Sequence, residues 1–379
     1  MNNPEAKLSS LMRSAGPAMG LAVAWMLFAL LVPDGRFRTW ETTRLMLVQT
    51  SVVASAAVGA TLVIASRGID LAVGSTVALC TMVIALSVQS GLGPTASAAL
   101  GVATGAMIGV LTGLMVVGRV VPVVLALGLA GAGAWVAGPW AAAGTLALAA
   151  AALTLTRRVW PTLELSPFIV TLGLWGILRG VAKWLGDNQP IYPPRPEDAG
   201  WMPALMGIVG GEAGPWRGLG GVAVTIALAA VIGVVIARTV VGRRALAIGD
   251  NETAARYAGV PVATTKVIVF AIGSACAGVA GVLQFGSLGV GDPTTAAGLE
   301  LQVIAAAVIG GASLSGGSGS VLGTLVGAML MTVVATGCTK LGLANYVQEV
   351  VTGAIIVAAV AIDRARRSGY AGTTGQGRQ

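Results

Sequence analysis

The chain has 379 residues, of which 55% are hydrophobic and only 10% charged, with a mean hydropathy of +0.85 and a formal net charge of +8. Soluble domains carry about a quarter charged residues, so a water-soluble globule is excluded. There is no histidine, which excludes imidazole acid–base chemistry and imidazole metal ligands, and the three cysteines (Cys80, Cys276, Cys338) lie far apart in apolar blocks, fit no metal motif and are expected to pack.

In chain order, a short tail (residues 1–14, with Lys7 and Arg13) leads into a first apolar span at about 15–33. No small-residue cleavage site follows it, so an uncleaved span is expected rather than a signal peptide. Further spans are expected at about 45–65, 69–90, 95–117, 120–137, 139–156, 167–186, 219–238, 264–286, 299–314, 319–338 and 346–362. Each has about the length needed to cross a ~30 Å hydrocarbon core. The expected fold class is all-α: a polytopic integral membrane helical bundle of about 10–12 transmembrane helices, forming one domain over 15–366. Residues 367–379, rich in Gly, Thr and Gln, are expected to be disordered.

Charge sets the expected orientation. With the N-terminus inside, cytoplasmic segments and the C-terminal tail hold 15 of the 23 basic residues, as the excess of Lys and Arg in cytoplasmic loops requires. The basic residues sit at block ends rather than in one patch, so they report topology and not nucleic-acid binding. Both termini are expected in the cytoplasm. Residues 187–218 carry more acid than base and read as an external loop, while 239–263 are polar, basic and cytoplasmic.

Small residues set the expected packing. Gly101, Gly105, Gly109 and Gly113 recur every four residues, as do Gly319, Gly323 and Gly327. Each set makes a smooth ridge for close helix crossing, and packing inside the bundle is expected ahead of a subunit interface.

Local chemistry singles out few residues. In Gly249-Asp250-Asn251-Glu252-Thr253-Ala254-Ala255-Arg256-Tyr257-Ala258-Gly259, Asn251 can cap a short helix with Glu252 in its first turn, and Gly259 can stop it. Pro261 then starts the return to the membrane. The segment Gly310 to Gly319 breaks a helix, either as part of a substrate route (Gly310, Gly311, Ser313) or as a tight cytoplasmic turn. Asp70 can cap the span it opens or pair with Arg67. Ser75, Thr171, Gln284, Glu300 and Gln302 are hydrogen-bonding groups within or beside spans, where a polar substrate or a neighbouring helix can use them. Arg179 and Lys183 are expected to snorkel toward the outer interface. None of the four lysines (Lys7, Lys183, Lys266, Lys340) follows a glycine, so the chain holds no Gly-Lys-Ser/Thr phosphate loop and is no P-loop ATPase.

Several motifs in order resemble the permease family of ribose-, xylose- and rhamnose-type ABC sugar importers, which also includes autoinducer-2 permeases. They are Ser66-Arg67-Gly68-Ile69-Asp70-Leu71-Ala72-Val73-Gly74-Ser75, Pro167-Phe168-Ile169-Val170-Thr171-Leu172-Gly173, Ala247-Ile248-Gly249-Asp250-Asn251 with Ala254-Ala255 and Gly259-Val260, Gly298-Leu299-Glu300-Leu301, and Val308-Ile309-Gly310-Gly311-Ala312-Ser313-Leu314. The resemblance covers about 45–118 and 165–365. It implies a bacterial inner-membrane permease that moves a monosaccharide of pentose or deoxyhexose type by alternating access. The implied partners are a separate ABC ATPase subunit, an extracytoplasmic sugar-binding protein and a second permease chain, identical or not, in the lipid bilayer. It implies a coupling loop for the ATPase at Arg244, Gly249, Asp250, Asn251, Glu252, Ala254, Ala255, Arg256 and Gly259, with no enzymatic activity or cofactor of its own. One departure is an insertion at 120–160, whose Pro122 to Leu129 echoes Pro167 to Leu174 and reads either as a duplication adding a helical hairpin or as apolar coincidence. The alternatives are an ion-coupled secondary transporter, which calls for membrane-embedded acids, and a permease for branched-chain amino acids.

Overall fold

The computed structural model describes residues 4–119, 165–206, 218–344 and 346–355, with 357, 358 and 361. The hairpin expected at 120–160, residues 207–217 of the expected external loop, and the tail 367–379 lie outside the described residues. Among those described, helices, turns and one isolated antiparallel bridge, Ile191 to Gly291, make up the protein. The helices are α1 (Pro4–Leu31), α2 (Trp40–Ala65), α3 (Val73–Gln89), α4 (Pro94–Val116), α5 (Pro167–Leu185), α6 (Trp201–Met206) and α7 (Gly220–Arg238). They continue as α8 (Val240–Asp250), α9 (Glu252–Tyr257), α10 (Val262–Leu288), α11 (Leu299–Ile309) and α12 (Val321–Lys340). Residues 346–355 are also helical.

Six of these, α2, α4, α5, α7, α10 and α12, are long and apolar enough to cross a membrane. This is the polytopic helical bundle that the hydropathy blocks call for. Two expected spans are corrected. The block at 69–90 is helical only from Val73, because Ser66 to Ala72 form an irregular entry. The block at 299–314 is an 11-residue helix, α11, which at 1.5 Å per residue extends only ~16 Å and reaches about halfway across a bilayer core.

At the centre stands α2, buried without interruption from Ser51 to Ala65. A soluble helix with no polar face would be unusual; here α7, α10, α11 and α12 surround it. Its few hydroxyls find partners across helix interfaces: Ser55 Oγ lies 2.9 Å from Thr225 Oγ1 of α7, and Thr61 Oγ1 2.7 Å from Thr324 Oγ1 of α12. Such pairing replaces the water that a hydrocarbon surrounding withholds.

Both glycine ridges pack inside the bundle. Gly105, Gly109 and Gly113 of α4 lie on the backbone of α10 at Ser274, Phe270–Ala271 and Val267. The matching four-residue steps run in opposite senses along the two helices, an antiparallel crossing with main chain against main chain. Gly323 and Gly327 of α12 lie likewise on Gly310 and Ala306, at and beyond the end of α11. Outside this core, α5 and α7 leave apolar side chains exposed, among them Ile169, Leu172, Ile177, Ile226, Val231 and Val234. That is the surface a lipid-facing helix presents.

Candidate functional site

Two places gather the polar residues, one inside the bundle and one at an end of it. The inner place is where α3 and α11 begin. α3 and α5 run side by side in the same direction. Thr171 Oγ1 donates to Ile69 O at 3.1 Å, Ser75 Oγ donates to Trp175 O at 2.8 Å, and Arg179 lies one turn further on. Asp70 is buried at the head of α3, where its Oδ1 accepts the Ala72 N–H at 2.9 Å, and it lies against Ser274, near the middle of α10. It therefore closes a local turn before the helix and makes no ion pair with Arg67.

The chain enters α11 through residues 289–298, a loop that returns from the end of α10 into the bundle. Gly289 and Gly298 bound it with φ of +68° and +79°, a backbone setting that side chains disfavour. Asp292 Oδ1 stabilises the loop by accepting from Thr294 N–H and Thr294 Oγ1, each at 2.7 Å. Gln284 Nε2 of α10 donates to Thr295 Oγ1 at 2.8 Å.

Arg179 departs from expectation. Its side chain does not run to the outer interface but turns inward, and Nη1 donates to Pro293 O at 2.9 Å and Thr295 O at 2.6 Å. The opposing acid is Glu300, in the first turn of α11, whose carboxylate lies so close to Gly74 that a Cβ there would overlap Oε2. Arg179 Nη2 and Glu300 Oε2 are both buried with no hydrogen-bond partner, as is Thr76 Oγ1 of α3. Unpaired charged atoms are costly in a protein interior.

The structure therefore links Gln284 and Arg179 through Thr295 and sets Glu300 at Gly74, while Asp70, Ser75 and Thr171 lie along the start of α3, in contact with α10 and α5; Arg179 was expected at the interface. Gln302 points elsewhere: it is half-buried and two residues on, roughly the opposite side of α11. Gly310, Gly311 and Ser313 are not at the inner site either. They form the turn between α11 and α12, in which Ser313 N–H donates to Ser318 O at 3.1 Å.

That turn belongs to the second place, an elbow built from α8, α9 and the start of α10. Gly317 N–H donates to Ala65 O at the end of α2 (2.9 Å), and Gly316 lies on Gly249. A Cβ at Gly249 would coincide with the Ala65 carbonyl and the Gly317 nitrogen. Glycine is thus what lets α8 sit down on the bundle. Asn251 caps α9 by accepting the Ala254 N–H at 2.9 Å. At the other end, Val260 N–H donates to Ala255 O and Gly259 N–H to Arg256 O, with Gly259 at φ +81°, the closure expected of a helix-terminating glycine.

Glu252 ties the elbow to α10: Oε2 accepts from Lys266 Nζ at 2.8 Å and Oε1 from Arg256 Nη2 at 3.1 Å. Burial works to raise its pKa, but the hydrogen bonds and charges of Lys266 and Arg256 outweigh it and hold the carboxyl below its ordinary value. Ala255 is buried beneath α9, whereas Ala254 and Arg256 face out and Tyr257 is 89% exposed. Beside the elbow, a cavity of about 480 Å³ opens between the end of α4, the start of α5 and the Glu252–Arg256–Lys266 group.

The chain is similar to known proteins over most of its length. The profile of the family described as branched-chain amino acid transport system / permease component matches residues 43–360. The chain belongs to this permease family. Among its curated relatives, the ribose import permease protein RbsC of Escherichia coli K12 is 32% identical over 329 residues, covering 85% of each chain. RbsC of Bacillus subtilis 168 is 31% identical over 93% of each chain. The D-allose transport system permease protein AlsC of Escherichia coli K12 is 29% identical over 91% of the permease described here and 89% of its own length. No solved structure matches the chain.

Proposed function

We propose that the protein is the membrane-spanning subunit of an ATP-driven importer for a monosaccharide. In this reading the elbow docks a separate ATPase subunit and the inner polar junction lies on the sugar's path. Both termini and the elbow face the cytoplasm, as the distribution of basic residues favours. A sugar-binding protein delivers substrate from the other side, and two permease chains flank the path. The long relatives, named for ribose and allose, favour a sugar over a branched-chain amino acid.

The observation that carries this reading is the span of α10. Its first turns hold the elbow through Lys266 and Glu252, and its last turns reach the junction through Gln284 and Thr295. The helix of 27 residues is ~40 Å long, so one rigid element joins the exposed docking surface to the buried polar groups. The surface offered is small and firm: Ala254, Arg244, Arg256 and Tyr257 on capped helices, with Asp250 beside the 316–317 turn. A sugar needs replacements for its hydration on the way through, and the junction is where the described interior supplies them.

The test is co-purification of the tagged protein, expressed with its transport partners, followed by uptake of labelled D-ribose, D-allose and L-leucine into cells. An ATPase retained by the wild type and lost with Ala254→Glu and with Gly259→Asp is expected, with uptake of a sugar and none of leucine. Retention in both variants would reject the elbow as the docking site. Leucine uptake alone would reject the sugar.

A further inference from the structure

We infer that the cavity beside the elbow is a binding site for a phospholipid with an anionic headgroup, its phosphodiester held by Arg256 and Lys266. The inference rests on the chain's being embedded in a bilayer, not on what the bundle transports.

The cavity, of about 480 Å³, lies where α4 finishes and α5 and α10 begin. All three helices are long and apolar enough to cross a membrane, so ends of this kind fall at the level of the lipid headgroups. The lining has two characters. Part of it is ionic: Arg256, Lys266 and Glu252. Glu252 accepts from Arg256 Nη2 and Lys266 Nζ, so two cations share one carboxylate and one net positive charge is left over. Only Nη2 of Arg256 is engaged among the described residues, and its side chain is 59% exposed. The rest is largely apolar, with Val116 and Val117 at the end of α4 and Leu165 and Pro167 at the start of α5. Both α5 and α10 begin here without a side-chain cap, which adds to the positive potential. Past Pro167 the apolar surface continues along α5, where Phe168, Ile169 and Leu172 are exposed.

Charge and depth together select the ligand. A phosphodiester accepts hydrogen bonds from a guanidinium and an ammonium, and an anionic phospholipid supplies the negative charge that this lining lacks. A free phosphate could meet the same cations but has no use for the apolar residues. Acyl chains do, and they continue along the exposed face of α5. The protein partner proposed for the elbow is offered Ala254 and Tyr257, neither of which lines the cavity.

The experiment uses the full chain carrying Ser166→Cys, in vesicles of phosphatidylcholine alone or mixed with an equal amount of phosphatidylglycerol. The native thiols Cys80, Cys276 and Cys338 are buried, so the uncharged reagent N-ethylmaleimide reports the new one. Labelling is expected to slow about fivefold when phosphatidylglycerol is present. Labelling at Tyr257→Cys, a position outside the cavity, should be equal in both vesicles. The difference at Ser166→Cys should vanish when Arg256→Gln and Lys266→Gln are added. Equal labelling of Ser166→Cys in the two vesicles overturns the inference. So does slowing of equal size at Tyr257→Cys, or a difference that survives the two substitutions. Protection that comes only with the ATPase subunit overturns it in favour of that protein.

Thermal unfolding of the unsubstituted chain in detergent gives a second measurement that needs no variant. Short-chain phosphatidylglycerol should raise the midpoint, whereas phosphatidylcholine of the same chain length and inorganic phosphate at the same concentration should not. No rise with phosphatidylglycerol overturns the inference. An equal rise with inorganic phosphate marks a site for a soluble anion and overturns the lipid.

Discussion

The elbow and the junction are built on opposite principles. At the elbow the cap and the buried acid are answered close by: Asn251 by the Ala254 N–H, and Glu252 by Lys266 and Arg256. At the junction the charged atoms Arg179 Nη2 and Glu300 Oε2 are left open, although the cost of leaving them so is higher inside the bundle. Satisfied groups make a firm shape that another protein can press on. Buried groups without partners mark a place where packing alone does not account for the polar atoms. The contrast separates a surface whose capping and charged groups are answered from an interior where some are not.

The largest expected effect comes from overfilling the two glycine seats, and it should fall differently in the two places. Gly249→Val puts side-chain atoms into the Ala65 carbonyl and the 316–317 turn. It should abolish ATPase co-purification and lower the midpoint of thermal unfolding, with a cost of about 3 kcal/mol. Gly74→Ala displaces the Glu300 carboxylate. Sugar uptake should drop at least about tenfold while the ATPase stays bound. If Gly74→Ala also released the ATPase, the two places would not be separable, and the comparison would fail.

A smaller effect is expected from Asn251→Ala, which removes the cap of α9. Loss of such a cap costs about 1 kcal/mol. Amide exchange over 252–258 should quicken by about fivefold, with that over 299–309 unchanged. Smallest is the acid response of the same helix. Glu252 titrates below its ordinary value, because Lys266 and Arg256 favour its ionised form more than burial opposes it. Its contribution to the elbow is thus complete above the unfolded carboxylate value and is lost only as pH falls through the lower, folded one. Protection of residues 252–258, corrected for intrinsic exchange, should persist through mildly acid pH and then decline. In Lys266→Met the decline should move to higher pH.

Legibility in the sequence followed the range of the interactions. The ends of the short elbow helix could be read because their signals are local: a cap three residues before the amide it binds, an acid in the first turn and a glycine at the stop; the Glu252–Lys266 tie, fourteen residues apart, could not. Both glycine ridges were legible for the same reason, since four-residue spacing implies a smooth helix face whatever lies against it. The junction was legible only as a set of isolated polar residues. Residues 70–75, 171–179, 284–295 and 300 come together by tertiary packing, and nothing in a span's composition says which side chain turns inward. Arg179 shows this best: a lone arginine in an apolar span reads as one that snorkels, until two main-chain carbonyls appear within its reach. The half-length of α11 did leave a trace. Gly289, Gly291, Pro293 and Gly298 punctuate ten residues before an apolar block of only 11, a pattern that marks a loop re-entering the bundle. By contrast, Gly310 to Gly319 drew attention for its glycines and proved to be a turn at the elbow end.

The glycine seam between α4 and α10 has a mechanical corollary. Helices that mesh side-chain ridges into grooves must unmesh them to move, which favours discrete jumps. Along Gly105, Gly109 and Gly113, α4 offers α10 main chain with no ridge to climb, so small sliding displacements meet little resistance. The seam is a plain bearing rather than a gear. A single methyl group at any of these three positions would act as a detent, stopping α10 in one place while leaving both of its working ends chemically intact.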